Sequence, residues 1–285
     1  IVPEHAYSKT YGDNPIGSGP FQLTQWDKGQ QIILEANENY YGQIPYFKKV
    51  VILFLSEDAA LAAAQTGQLD MAITANHLAN QKIKGMHLLS LPTIDNRGLT
   101  LPYTKSGQLN EKGYPVGNDV TSDLAIRRAL SYGIDRAALV EQALLGYGRP
   151  AYTECDNMPW WNEESTVPYR LEQAKQILEE AGWLLNEQTG IREKDGLKAQ
   201  FNLLYSAGDS TRQALCLAVS EQAKELGIQI TTEGVSWDEI DRRMYAEPVM
   251  MGWGAQNPME TYLLYHKDNM GKDYYNPENY HNATV

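Results

Sequence analysis

The sequence predicts an α/β protein with mixed sheets, built in two parts. Three observations carry that expectation. The first hundred residues read as short strands. A polar stretch rich in Gly, Asn and Pro runs from Thr104 to Asp119 and marks a boundary. After it, helical and strand patterns alternate, ending in a strand–helix–strand unit over residues 199–233.

Asp27-Lys28-Gly29-Gln30 separates two apolar-alternating runs, residues 21–26 and 31–36, and is a hairpin signal with Gly in the turn. The continuous branched and aromatic run Val50 to Leu55 predicts a buried strand. Residues 57–68 are Ala-rich and predict a helix stopped near Gly67. Residues 70–74, 87–91 and 96–101 predict further short strands, the last ended by Pro102.

Thr121 is the expected cap of a helix whose apolar face is Ile126, Ala129, Leu130 and Ile134. A second helix, over residues 171–181, repeats the spacing and is closed by Gly182. Strand 199–205, helix 209–226 and strand 228–233 form a crossover unit, so the two strands are expected to be parallel. Ser236 and Glu239 predict a capping box, and residues 249–253 a last strand.

A net charge of −12 argues against a nucleic-acid binder and against a polybasic membrane-surface protein. The longest apolar run, six residues from Val50 to Leu55, is far too short to span a bilayer. Cys155 and Cys216 stand in no C-x-x-C pair, and spacing alone does not decide whether they pair. The chain opens on Ile-Val-Pro-Glu with no signal-peptide pattern. The serine-hydrolase elbow, zincin, Walker A and dinucleotide motifs are all missing, and no two of the five histidines stand at ligand spacing. An enzyme is therefore the less expected class, although active sites also assemble from distant residues.

Six segments, in order, resemble one known family. They are Asn14-Pro15-Ile16-Gly17-Ser18-Gly19-Pro20-Phe21; Ala59 through Asp70; Asp123 through Leu130 with Ile134-Asp135-Arg136; Pro168-Tyr169 through Ala181-Gly182-Trp183; Leu226-Gly227-Ile228; and Met251-Gly252-Trp253-Gly254-Ala255. Together they resemble the extracytoplasmic solute-binding proteins of ABC importers for peptides, opines and nickel. The resemblance implies a two-lobe periplasmic-binding-protein-like (Venus flytrap) α/β fold that closes on its ligand by a hinge, here incomplete and cut at both ends. It places residues 1–105 in part of lobe I and residues 106–285 in most of lobe II.

The resemblance also implies the site. Family members contact ligand at the Gly-Trp-Gly-Ala strand end, which points to Trp253 and Gly254, with Asn257, Tyr262 and Tyr265 following; Tyr274 and Tyr275 are further candidates. Peptide-binding members place an Asp for the ligand's α-amino group where this chain has Met259, with Glu260 one residue off. Nickel-importing members place a His after this strand, which points to His266, with His281 as the other candidate. The expected ligand is thus a nickel or other metal chelate ahead of a short peptide, and no resident cofactor is expected. The implied partners are an ABC permease and its ATPase. The implied setting is a periplasmic or lipid-anchored extracytoplasmic monomer. A hydrolase on a two-lobe α/β scaffold is the alternative from a different class.

Overall fold

The computed structural model describes residues 3–254 and 256–284. The chain divides into two compact units, residues 1–74 and 75–285.

In the first unit, β1 (Phe21–Asp27), β2 (Gln31–Ala36) and β3 (Lys49–Leu53) form an antiparallel sheet in that order. The expected hairpin is there, with Gly29 at φ +76°, a value that costs glycine little. Helix α1 (Glu57–Gln65) starts on Ser56, whose hydroxyl accepts from the Ala59 N–H, and stops before Gly67 at φ +74°. The strand expected to be buried is instead open: Val51, Ile52, Leu53, Phe54 and Leu55 are each more than 40% exposed. One sheet and one nine-residue helix give little cover, and Asn37 and Ala64 are the buried residues among those described in this unit.

The second unit begins upstream of the polar stretch, because Asn76 and residues 96–100 bond to later parts of the chain. Its strands and helices, in chain order, are β4 (Gly98–Thr100), β5 (Gln108–Leu109), β6 (Pro115–Val116), α2 (Leu124–Gly133), α3 (Arg136–Gln142) and α4 (Leu171–Glu180). There follow β7 (Leu184–Asn186), β8 (Ile191–Lys194), β9 (Leu197–Lys198), β10 (Gln200–Ser206), α5 (Ser210–Lys224), β11 (Gln229–Val235), α6 (Trp237–Arg243), β12 (Val249–Met251) and α7 (Met259–Tyr265).

The central sheet has strand order β11-β10-β12-β4. β10 is parallel to β11 and to β12, as the crossover reading requires, while β4 runs antiparallel to β12. Residues 70–74 and 87–91 do not form the strands expected of them. Those short apolar runs lie largely exposed, with Met71, Ile73, Leu88, Leu89 and Leu91 all on the surface.

The core lies between the sheet and α2, α4 and α5. Ile126, Ala129, Leu130, Leu178, Leu203 and Leu226 are all buried there. Helix α2 is capped by Asp123, not by Thr121: the Asp123 carboxylate accepts from the Ala125 N–H at 2.8 Å, while the buried Thr121 hydroxyl donates to the Pro102 carbonyl at 2.9 Å. The same Asp123 side chain accepts from the Trp183 indole at 3.1 Å and the Lys194 ammonium at 2.8 Å, so one carboxylate joins a helix start, a core aromatic and β8. Arg192 is buried but satisfied: it donates to the carbonyls of Leu226 and Trp183 and pairs with Glu179 at 3.1 Å. Cys155 and Cys216 are both free thiols, and burial pushes the Cys216 thiol up to about 12.

Candidate functional site

In an open α/β sheet, ligand sites gather outside the carboxyl ends of the parallel strands, where strand order reverses. Here that edge carries the ends of β10, β11 and β12. Because β4 is antiparallel, its first residue, Gly98, pairs with Met251 at the same edge. Helices α5 and α6 start there, on Asp209 and Ser236.

The Gly-Trp-Gly run leaves β12 at this point, and both glycines are forced by close approach. A Cβ on Gly252 would lie 2.2 Å from the Asn96 carbonyl oxygen, and one on Gly254 would lie 2.6 Å from the Asp95 carboxylate. The segment crossing them fixes Trp253: its carbonyl accepts from the Asn96 N–H at 3.0 Å and from Asn96 Nδ2 at 2.8 Å. Asn96 Nδ2 also donates to the Glu154 carbonyl at 3.3 Å. The Trp253 indole is half-buried and packs on the cluster around Leu204, Ile240, Met244 and Met251. It combines a packing role with a partly open face.

Helix α7 stands beside this point. The two carboxylate oxygens of Glu154 accept from Thr261 Oγ1 at 2.9 Å and from the Tyr265 hydroxyl at 3.2 Å. Tyr265 is partly exposed, and burial and then the Glu154 charge push its phenol above the ordinary range. Burial, and then Glu154, raise the Glu260 carboxyl too. Burial pushes the Glu278 carboxyl up to about 7, with the Glu154 charge adding to it. The Glu154 charge acts on both Glu260 and Glu278, and among the described residues no basic side chain bonds to Glu154, an arrangement that favours a cation.

The chain after α7 is held by Asn276. This residue is fully buried, and its side chain donates to the carbonyls of Tyr265, His266 and Tyr280 and accepts from the Tyr280 N–H at 2.8 Å.

Of the residues expected from sequence, Trp253, Gly254 and Tyr265 come together around Asn96 and Glu154. Asn257 is exposed and its side chain accepts from the Met259 N–H at 2.9 Å, the work of a helix start. Tyr262 stacks on His266, with ring centroids 4.5 Å apart. His266 Nδ1 accepts from the Asp268 N–H at 3.3 Å and stands 3.8 Å from the Asp268 carboxylate. Met259 is exposed, His281 is exposed, and Ala255 lies outside the described residues. Among the described residues, no three His, Cys, Asp or Glu side chains converge as metal ligands. Asn96, Glu154 and Glu278 escaped sequence reasoning because they reach the site from separate loops; the glycines either side of Trp253 were the available signal.

The sequence profile described as "Bacterial extracellular solute-binding proteins, family 5 Middle" matches residues 1–274. The chain belongs to this family. Relatives in family 5 include Protein XP55 of Streptomyces lividans, 35% identical, with all of this chain covering 52% of that protein. Another is the oligopeptide-binding protein AppA of Bacillus subtilis, 31% identical over 90% of this chain and 47% of that one. Among solved structures, NikZ from Campylobacter jejuni in complex with Ni(L-His) superposes with a TM-score of 0.85 at 22% identity, covering 99% of this chain and 57% of that one. At that identity the likeness shows the fold alone, the two-lobe periplasmic-binding-protein architecture. The chain spans about half the length of the curated relatives it matches. Among the described residues, no helix is long and apolar enough to cross a membrane.

Proposed function

We propose that this protein is the substrate-binding component of an ABC importer. It acts outside the cytoplasm as a monomer, captures a short peptide and delivers it to a membrane permease driven by its ATPase. The observation that carries the choice of ligand is the Glu154 carboxylate. It is held by Thr261 and Tyr265 and accompanied by Glu260 and Glu278, while the Glu154 backbone carbonyl is tied through Asn96 to Trp253. An ammonium docks there with hydrogen bonds to the half-buried carboxylate, and the half-buried Trp253 packs on the aliphatic part of the ligand. Glu154 thus supplies, from another loop, the negative charge that position 259 lacks with methionine.

A second reading, a nickel or metal–chelate ligand, is favoured by His266, which is half-buried and stacked on Tyr262 after α7. Against it, His266 belongs to no group of three or more potential metal-ligating side chains among the described residues. Calorimetric titration of the protein with trialanine, and separately with Ni²⁺ plus histidine, separates the two. The peptide reading expects saturable heat with trialanine and none with the chelate. Saturable chelate heat that disappears in His266→Ala, with no peptide heat, would overturn it in favour of the metal reading.

A further inference from the structure

The turn that follows α7 brings a second carboxyl group to Glu154. Asn276 holds this turn to the helix end through the carbonyls of Tyr265 and His266, and closes it on Tyr280. Glu278 lies within the turn, and its carbonyl accepts from the Tyr103 N–H at 2.8 Å. Three rings meet edge to face in a row, Tyr103 on Tyr280 at 5.1 Å and Tyr280 on Tyr265 at 6.2 Å. Tyr265 in turn donates to the Glu154 carboxylate at 3.2 Å. Burial, then the Glu154 charge, then the Glu278 charge, raise the Tyr265 phenol, so the two carboxylates act on one hydroxyl.

We propose that Glu278 is a proton switch on the Glu154 site: it gives up its proton when a cationic ligand docks at Glu154, so that acid loosens binding. The proposal rests on the peptide reading above. Charge balance sets the sign. With the site empty, burial and then the Glu154 charge hold Glu278 at about 7, so at pH 6.5 most molecules carry its proton. An ammonium at Glu154 offsets the Glu154 charge and lowers the Glu278 value. A group whose pKa falls on binding releases its proton, and the ligand prefers the deprotonated form. Affinity is therefore lowest in acid and rises until pH passes the empty-site value. The neighbouring groups leave this step to Glu278. On α7, Tyr265 is raised above the ordinary range and keeps its proton throughout, while Glu260, raised by burial and then by Glu154, titrates in the same sense as Glu278. The Cys155 thiol acts on Tyr265 from the Glu154 loop. The Arg127 guanidinium is engaged over the Tyr103 ring at 4.6 Å and by the Thr121 carbonyl. The His266 ring stacks on Tyr262, and His281 is exposed. Among the described residues, no Lys, Arg or His bonds the Glu278 carboxylate, so a docked ammonium is the cation that reaches this cluster.

The test is calorimetric titration of trialanine at pH 6.5 in phosphate and in imidazole buffer, whose ionisation heats differ, with affinity also measured at pH 5.5 and 7.0. The peptide's own amine, with a pKa of about 8, stays charged over this range. The expected release is about half a proton per bound peptide at pH 6.5, with binding about fourfold weaker at pH 5.5 than at pH 7.0, as follows from a roughly tenfold fall in the proton affinity of Glu278 on docking. Glu278→Gln imitates the protonated form, and circular dichroism confirms that it folds. It should release no proton and bind at every pH as weakly as the unaltered protein does in acid. Heat without proton release in the unaltered protein, or release that persists in Glu278→Gln, would overturn the proton switch while leaving the peptide reading intact. No saturable heat at any of the three pH values would overturn both.

Discussion

Asn96 binds the Trp253 carbonyl twice, through its backbone N–H at 3.0 Å and its side-chain Nδ2 at 2.8 Å. A residue on the entry to β4 thereby sets the exit of β12, and the same side chain reaches on to the Glu154 carbonyl. Asn96→Ala removes the side-chain donor, leaving the Trp253 carbonyl its backbone bond and the Glu154 carbonyl without this partner. The expected cost is about 1 to 2 kcal/mol in urea denaturation, with weakened trialanine binding. An unchanged midpoint and affinity would show that the backbone N–H alone sets Trp253.

Gly252→Ala tests the close approach itself. Its Cβ would fall 2.2 Å from a backbone oxygen, which has no rotamer through which to retreat. A backbone shift is required, so the variant should lose on the order of 2 kcal/mol or more and melt several degrees lower. Gly29→Ala offers the contrast: nothing lies within 4 Å of its Cβ, and the expected loss, about 1 kcal/mol, comes from φ +76° alone.

Glu278 gives stability a pH dependence. Its ordinary value of 4.5 is raised to about 7 in the folded protein, so between those values the folded chain holds a proton that the unfolded chain has released. Stability contributed by this group is fully present below pH 4.5 and is lost as pH rises through 7. Glu278→Gln should therefore resemble the unaltered protein at pH 4.5 and be more stable at pH 8, on the order of 2 kcal/mol. Thermal melts at the two pH values check this; equal differences at both would show that Glu278 is solvated in the folded protein.

Asn276 closes the chain after α7. Its buried amide makes four hydrogen bonds to Tyr265, His266 and Tyr280. Asn276→Ala leaves those backbone groups unpaired away from water. The expected loss is about 2 to 3 kcal/mol, and amide exchange should quicken first over residues 265–280. Exchange that quickens evenly over the whole second unit would place the loss elsewhere.

The crossover unit, the hairpin and the helices were legible because their signals are local. Period, caps and glycine stops fix β10, α5 and β11 within a residue or two of expectation. Local signals also misled. Thr121 looked like a cap, but its hydroxyl has the Pro102 carbonyl as a buried partner, and Asp123 takes the helix start. The run Val50 to Leu55 read as buried, since continuous apolar sequence reports what a strand prefers and not what covers it. Within the candidate site, Trp253 was reached through the family resemblance of its Gly-Trp-Gly-Ala run, whereas Glu154 was not singled out. Its placement depends on Asn96 joining segments far apart in sequence, and no periodicity carries that information.

The measurement that tests the central claim most directly is calorimetric titration of trialanine into the Glu154→Gln variant, beside the unaltered protein. Glutamine keeps the side chain's shape and its contacts with Thr261 and Tyr265 but removes the charge. The account predicts saturable heat for the unaltered protein and at least about tenfold weaker binding for the variant, or roughly 1.4 kcal/mol. Equal affinity in the two would contradict it, since an ammonium held at Glu154 cannot be indifferent to that charge.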